Sequence, residues 1–348
     1  MRVIEATDDQ KNDWNRISNT MPGSLPLNRF EWKNILRDSY GIKPLFVYLS
    51  DGVGQMKGIA ATYITDDIYM RKNIFSTRYG LIAVDDDCIG EIIHFLKDYC
   101  LRYRIHGQQF TTGEFYSNLT CFSSQRKTMQ LSISENMDGA WDSLKSKTRN
   151  MVRKAIKERL KVEEGKEHLH QFYEIYVDSM LGLKVPMHSK IFFDNLLREF
   201  GEDAELSVVY RDGKALAGMI TLFGSTRASY PWQVSLSGTN KYAPNQLLIW
   251  QAMRSCVDRK ISVLDMGESV ENGPVHLFKK NFGGSPVTVH YSLGFGEDLR
   301  MKDSLPIKGF RKISGAIHSN RSNLIQKFGT RSMAMRTSIS LRKRGRTL

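Results

Sequence analysis

Apolar positions along this chain alternate between two rhythms, and the order of those rhythms recurs. WKNILRDSYG (Trp32–Gly41) and FDNLLREFG (Phe193–Gly201) each place apolar residues at helical spacing and stop at a glycine. Each is followed by two alternating apolar runs joined through Asp-Gly: LFVYLSDGVGQMKGIAATYI (Leu45–Ile64) and LSVVYRDGKALAGMITLF (Leu206–Phe223). That pattern predicts a hairpin in each copy. A further strand, a loop and an amphipathic helix come next. Ile89, Ile92, Ile93 and Leu96 line the helix in the first copy; Ile249, Ala252, Met253 and Cys256 line it in the second. The two Asp-Gly glycines, Gly52 and Gly213, are 161 positions apart, far more than a solenoid repeat. The expectation is an internal duplication of one α/β unit with mixed sheets.

Between the copies, the spacing predicts one long helix from Asp138 to about Leu160. Trp141, Leu144, Met151, Val152 and Ala155 form its apolar face, and Lys147, Lys154, Lys157 and Lys161 form a cationic stripe, with Arg149 and Arg153 nearby. A second helix carrying Leu169, Phe172, Tyr173, Tyr176 and Met180 is expected to end before Val185–Pro186. His168 and His170 fall on helix, where positions i and i+2 face apart, so they make a poor metal pair. GVGQMKG (Gly52–Gly58) resembles a phosphate loop only superficially. It lies between two strands, without the helix N-terminus such a loop needs, and reads as a hairpin turn.

The 348 residues are of ordinary globular composition, 41% hydrophobic and 25% charged. The net charge of +13 sits almost wholly in one place. From Arg300 onward there are 13 Lys/Arg and one acid, which leaves 37 basic and 36 acidic residues in the body. Polyanion binding is therefore a question about the tail and about local clusters. In the tail, Ile307, Phe310, Ile313, Ile317, Leu324 and Phe328 can share one helical face among many cations. A surface-lying membrane helix, a solvated tail and an RNA contact all remain open for it. The N-terminus has no apolar signal region, and the uncharged stretch Ala215–Thr226 is too short to span a bilayer, so a cytoplasmic chain is expected. Four scattered cysteines argue against a zinc site or a disulfide framework.

The segment ISVLDMGESVENGPVHLFKKNFGG (Ile261–Gly284) reads as a buried strand, a polar acidic loop, then Phe-Lys-Lys before a glycine pair. Loops at the C-terminal ends of strands are common places for chemistry. Together with SLKSKTRNMVRKAIKERLKV (Ser143–Val162), VPMHSKIFFDNLL (Val185–Leu197) and RDGKALAG (Arg211–Gly218), it resembles the FemAB family and its neighbours. The resemblance covers about residues 25–295. It implies tandem GNAT-like (acyl-CoA N-acyltransferase) domains, here at 1–140 and 141–300, with a basic tail at 301–348.

It also implies transfer of an acyl or aminoacyl group, from acyl-CoA or aminoacyl-tRNA, onto an amine. The acceptor would be a cell-envelope (peptidoglycan) precursor, nucleotide-linked or lipid-linked. No bound cofactor or metal is implied, and peripheral attachment to an anionic inner membrane face would follow from the tail. The lysine of the FK motif falls on Lys279, beside Phe278, and is the candidate for stabilising the oxyanion. Asp265 and Glu268 are candidate bases for the attacking amine, with strand-end capping the alternative for Asp265. Trp232 and Tyr242 are candidates for the donor channel; Lys147, Arg149, Arg153 and Lys154 are candidates for binding phosphates or tRNA. The segment NKYAPNQLLIW (Asn240–Trp250) departs from the family by lacking the glycines of a coenzyme A loop, which puts pyrophosphate cradling in doubt. That departure favours the rival class, a non-catalytic GNAT pair serving as a scaffold in an envelope or RNA assembly.

Overall fold

A computed structural model describes residues 1–66, 71–114, 116–117, 121–183 and 185–295. The basic tail, including the proposed amphipathic helix, lies outside the described residues. In chain order the first part comprises β1 (Arg2–Glu5), α1 (Lys11–Thr20), α2 (Glu31–Tyr40), β2 (Lys43–Ser50), β3 (Met56–Asp66), β4 (Lys72–Ala83), α3 (Asp86–Arg102), β5 (Gly107–Thr112) and β6 (Cys121–Ser132). After α4 (Met137–Ser143) and α5 (Ser146–Lys157) the series recurs. It runs through β7 (Lys161–Glu164), α6 (Leu169–Leu183), α7 (Lys190–Phe200), β8 (Ala204–Arg211), β9 (Lys214–Phe223), β10 (Arg227–Ser235), α8 (Pro244–Asp258), β11 (Val263–Val270), α9 (Pro274–Asn281) and β12 (Ser285–Phe295). The duplication expected from the periodicity is present element for element, and α9 of the second copy has no counterpart among the described residues of the first.

All these strands form one sheet, in the order β1-β2-β3-β4-β5-β12-β6-β11-β10-β9-β8-β7. The order is symmetric about its middle, but the two central strands have changed places. β12, from the second copy, pairs with β5 of the first, and β6, from the first copy, pairs with β11 of the second. Neighbours are antiparallel except β4 with β5 and β10 with β11, which are parallel.

The period-2 pattern sends alternate residues of each strand to opposite faces. Phe46, Leu206 and Val208 join a central core shared by both copies, in which Trp14, Phe30, Phe172, Phe192 and Phe193 are buried on α1, α6, α7 and their flanks. Leu45 and Val47 face the other way, toward α3. Val209 faces a third core under α4, α5 and α8. Each such aromatic, fully buried, contributes about 1.5–3 kcal/mol. The copies also meet through polar contacts. Arg29 bonds Asp203 at 2.6 Å, Asn34 bonds Glu199 and Asn195 bonds Ser39.

The hairpin expectation holds at both turns. Asp51 Oδ1 accepts from the amides of Val53 and Gln55, closing the segment that superficially resembled a phosphate loop. Asp212 and Gly213 turn β8 into β9 with φ of 50° and 76°, a conformation that Asp-Gly adopts readily. The expected single helix over 138–160 is instead two. Leu144 and Lys145 are extended (ψ 139° and 145°), and the Ser143 hydroxyl folds back onto the Ala140 carbonyl. Weak helix formers surround the break, and turning Leu144 into the core outweighs continuing the ladder. Lys161, placed in the cationic stripe by the periodicity, consequently belongs to β7. His168 and His170 have separate partners, Glu163 with Tyr210 and Glu174 respectively.

Candidate active site

The site grows out of the place where the second copy's parallel strands part. β10 and β11 pair only over Arg227–Ser229 and Val263–Asp265. Beyond that, β10 is irregular between Ser229 and Trp232 against β9, and β11 between Asp265 and Glu268 against β6. Gly267 sits inside the second irregularity with φ 85°, a conformation that costs a side chain-bearing residue roughly 1–2 kcal/mol.

Asp265 is fully buried and saturated. Its Oδ1 accepts from Arg78 Nη2 (3.2 Å) and the Gly267 amide (3.0 Å), and its Oδ2 accepts from the Thr128 hydroxyl (2.8 Å). Arg78 comes from β4 of the first copy. Its Nη2 also donates to Thr128 (2.9 Å), and its Nε lies 3.6 Å from Glu268 Oε1. Burial disfavours the charge on Arg78, but Asp265, Tyr79 and Glu268 outweigh this and hold its pKa above the ordinary arginine value. The Tyr79 phenol interacts with the Arg78 guanidinium, and the Tyr230 phenol on β10 is buried with no hydrogen-bond partner for its hydroxyl among the described residues. Burial pushes both well up, so both remain protonated.

Lys279 reaches the same point from α9. Only 7% exposed, it donates from Nζ to the carbonyls of Gly267 (2.8 Å) and Glu268 (3.3 Å). An ideal Cβ on Gly267 would stand 3.4 Å from Arg78 Nη1 and 3.5 Å from Lys279 Nζ, so the two cationic nitrogens bracket the position a side chain would fill. His276, one turn earlier on the buried face of α9, pairs with Ser269 at 3.4 Å.

The first copy is built differently at the matched positions. Its parallel pair ends at Phe75 and Gln109, so Gln109 stands where the second copy has Asp265, and Thr111 where it has Gly267. The Thr111 hydroxyl donates to the Thr77 carbonyl and accepts from the Tyr79 amide, while the Thr111 amide donates to Ser76 Oγ. These bonds stitch the parting strands together. The N-terminus of α3 is capped by Asp85, which accepts from the Cys88 amide, and followed by Asp86 and Asp87, a poor place for a phosphate. The matching end of α8 has proline at its first position, no acid in its first turn and no side-chain cap.

The sequence candidates are distributed as follows. Asp265, Glu268 and Lys279 come together. Phe278 is half-buried against Phe282 (5.4 Å between centroids) on the core beneath α8. Trp232 packs instead on the central core, 5.4 Å from both Phe192 and Phe193. Tyr242 precedes α8 with the Arg211 guanidinium 3.9 Å above its ring. Lys147, Arg153 and Lys154 are exposed on α5, and Arg149 is half-exposed. Arg153 lies over Trp141 and Arg149 is 3.5 Å from Asp142. The Thr148 hydroxyl donates to the Asn281 carbonyl at 2.7 Å, which docks α5 beside α9. Sequence reasoning missed Arg78 and Thr128. A cation inside the otherwise apolar strand around NIFSTRYGLIA was the available signal for the first.

Residues 143–280 match the family model described as an acetyltransferase (GNAT) domain. The crystal structure of FemX superposes with a TM-score of 0.66 at 13% identity, covering 83% of this chain and 97% of that one. The chain has the tandem GNAT fold that FemX shows. A tandem GNAT protein from the clavulanic acid biosynthesis pathway gives 0.55 at 10% identity, covering 85% and 99% of the two chains. L-PGS from Bacillus licheniformis gives 0.52 at 11%, covering 90% and 98%. Comparison with curated proteins gives no significant sequence match. The family match runs from before α5 to Lys280 in α9, so β10, β11 and Lys279 lie within the matched GNAT stretch. A GNAT fold is one used for acyl transfer. No described helix is long and apolar enough to cross a membrane.

Proposed function

We propose that the protein transfers an acyl or aminoacyl group, from acyl-CoA or aminoacyl-tRNA, to an amine acceptor, and that the reaction takes place in the second copy. The observation that carries this reading is the position of Lys279 Nζ, fixed by the backbone carbonyls of Gly267 and Glu268 where β10 and β11 part. The amine attacks the carbonyl carbon and gives its proton to Glu268. Lys279 stabilises the oxygen that becomes negative, and the intermediate collapses as the thiolate of coenzyme A or the ribose oxygen of tRNA leaves with a proton. Asp265, saturated by three donors, holds Arg78 rather than taking the proton. The α8 N-terminus, Tyr242 and the α5 cations would receive the donor's phosphates.

The 1–140 unit holds no second reaction centre of this kind, since its matched split is stitched by Thr111 and its helix end is acidic. A cell-envelope precursor, nucleotide-linked or lipid-linked, is the acceptor class that best fits the tandem GNAT resemblance. The basic tail would then hold the protein at an anionic cytoplasmic membrane face. Removing 305–348 is expected to abolish sedimentation with phosphatidylglycerol vesicles, and equal sedimentation of both forms overturns that part.

The test of the activity is labelling of an amine acceptor mixture by radiolabelled acyl-CoA or by a charged tRNA pool, with and without ribonuclease. Ribonuclease-sensitive labelling identifies the tRNA donor and insensitive labelling the coenzyme A donor. No labelling with either favours the scaffold reading, which the absent coenzyme A glycines support.

A further inference from the structure

We propose that Arg78, supplied by the first copy, is a second donor to the oxygen that Lys279 serves, its Nη1 and the Lys279 Nζ receiving that oxygen in the space beside Gly267. The inference rests on the acyl-transfer reading and on the role given there to Lys279. The guanidinium is hydrogen-bonded to Asp265 and Thr128 through Nη2 alone. Nε lies 3.6 Å from Glu268, the Tyr79 phenol adjoins the guanidinium, and Nη1 takes no part in the Asp265 and Thr128 hydrogen bonds. Nη1 lies 3.4 Å, and Lys279 Nζ 3.5 Å, from the place that a Cβ on Gly267 would take. In the first copy the matched position is filled by Thr111, whose hydroxyl is used up in stitching the strands.

A planar guanidinium hydrogen-bonded through Nη2 presents the N–H bonds of Nη1 with little further ordering, the arrangement that suits an oxyanion. The local charge balance points to the transition state rather than to a resting anion. Arg78 already faces two carboxylates, Asp265 and Glu268, so a permanently charged ligand gains little there. An oxygen that turns negative only while the C–N bond forms gains the full interaction, which appears in kcat and not in KM. In that step the amine lone pair forms the C–N bond and the carbonyl π pair moves onto oxygen. Arg78 and Lys279 donate hydrogen bonds without giving up a proton. The returning pair then expels the thiolate or ribose oxygen.

The alternative role for Arg78 is neutralising buried Asp265 and nothing more. The full-length variants Arg78→Lys and Arg78→Gln with Asp265→Asn separate the two. Both leave Asp265's site electrically balanced, and both remove Nη1. The inference expects each to lower kcat by about 10²-fold with KM for both substrates within about twofold, as for loss of one oxyanion donor. A kcat within about threefold of wild type in both overturns it. If the double variant does not fold, Arg78→Lys, which keeps a cation opposite Asp265, decides alone. Lys279→Met is measured alongside. Slow Lys279→Met with normal Arg78 variants removes Arg78 and leaves the acyl-transfer reading standing, whereas normal Lys279→Met removes that reading of Lys279.

Discussion

Arg78 and Asp265 are 187 positions apart in the chain and meet at 3.2 Å, with the carboxylate wholly buried and the guanidinium only 21% exposed. One copy of the duplicated unit therefore supplies the counter-ion around which the other builds the candidate site. Removing one partner of such a pair strands a buried charge and costs roughly 3–5 kcal/mol. The pairing thus fixes the relative placement of the two copies at the site.

Lys279→Met is expected to lower kcat by about 10²–10³ with little change in KM, the loss associated with one oxyanion donor. Steady-state kinetics with the donor identified by the labelling experiment provides the check. A kcat near wild type excludes Lys279 from catalysis.

Neutralising Lys147, Arg149, Arg153 and Lys154 together is expected to weaken donor or acceptor binding and to flatten its salt dependence, by about 0.7 in log–log slope for each single-strand phosphate that is no longer neutralised. Stability should change little, because these side chains lie on the outer face of α5. Affinities measured across a salt series test this. An unchanged slope leaves the stripe as solvated surface.

Thr111→Val keeps the shape of the side chain but deprives the buried Tyr79 amide of its acceptor and the Thr77 carbonyl of a donor. The expected loss is about 1–3 kcal/mol, measured by urea unfolding. Stability equal to wild type would show that the first copy's strands do not depend on this stitch.

Glu31 ties α2 to the Arg29 clamp across the copies. Burial alone would push its carboxyl up, but the Arg29 guanidinium at 2.9 Å and the Lys11 charge reverse this and hold it below the ordinary glutamate range. A carboxylate with a depressed folded-state pKa contributes stability that is present above the unfolded value and disappears as pH falls through the folded one. Glu31→Gln should therefore be less stable than wild type at pH 7, and the gap should close as pH falls below that of an ordinary glutamate. Melting temperatures of both proteins over pH 7 to 3 decide it. A gap that stays constant with pH rules out the ionic contribution.

The duplication was legible because it is written in local periodicity, and Asp265, Glu268 and Lys279 were legible because they lie within one short stretch. Arg78 was not, since nothing local connects β4 to a strand encoded so much later. The break at Leu144 was missed because its cause is tertiary. The apolar spacing continues through it, while the buried position of Leu144 and the docking of Thr148 on Asn281 decide otherwise. The placing of β6 and β12 was equally hidden, since alternation says which face of a strand is apolar and not which neighbour it joins.

The exchange of those two strands has a consequence for how the protein is made. The edge of β5 finds its partner only in β12, near the end of the described chain, and β6 stands beside β11 and β12, both synthesised much later. As the chain leaves the ribosome, the first copy must wait with an unpaired β5 edge until the second is nearly complete. Pairings this distant in sequence form slowly and leave sticky edges open meanwhile. A nascent chain stopped after residue 140 should therefore behave as an aggregation-prone fragment and a substrate for chaperones. The two copies, alike in plan, would then mature only in a single concerted event.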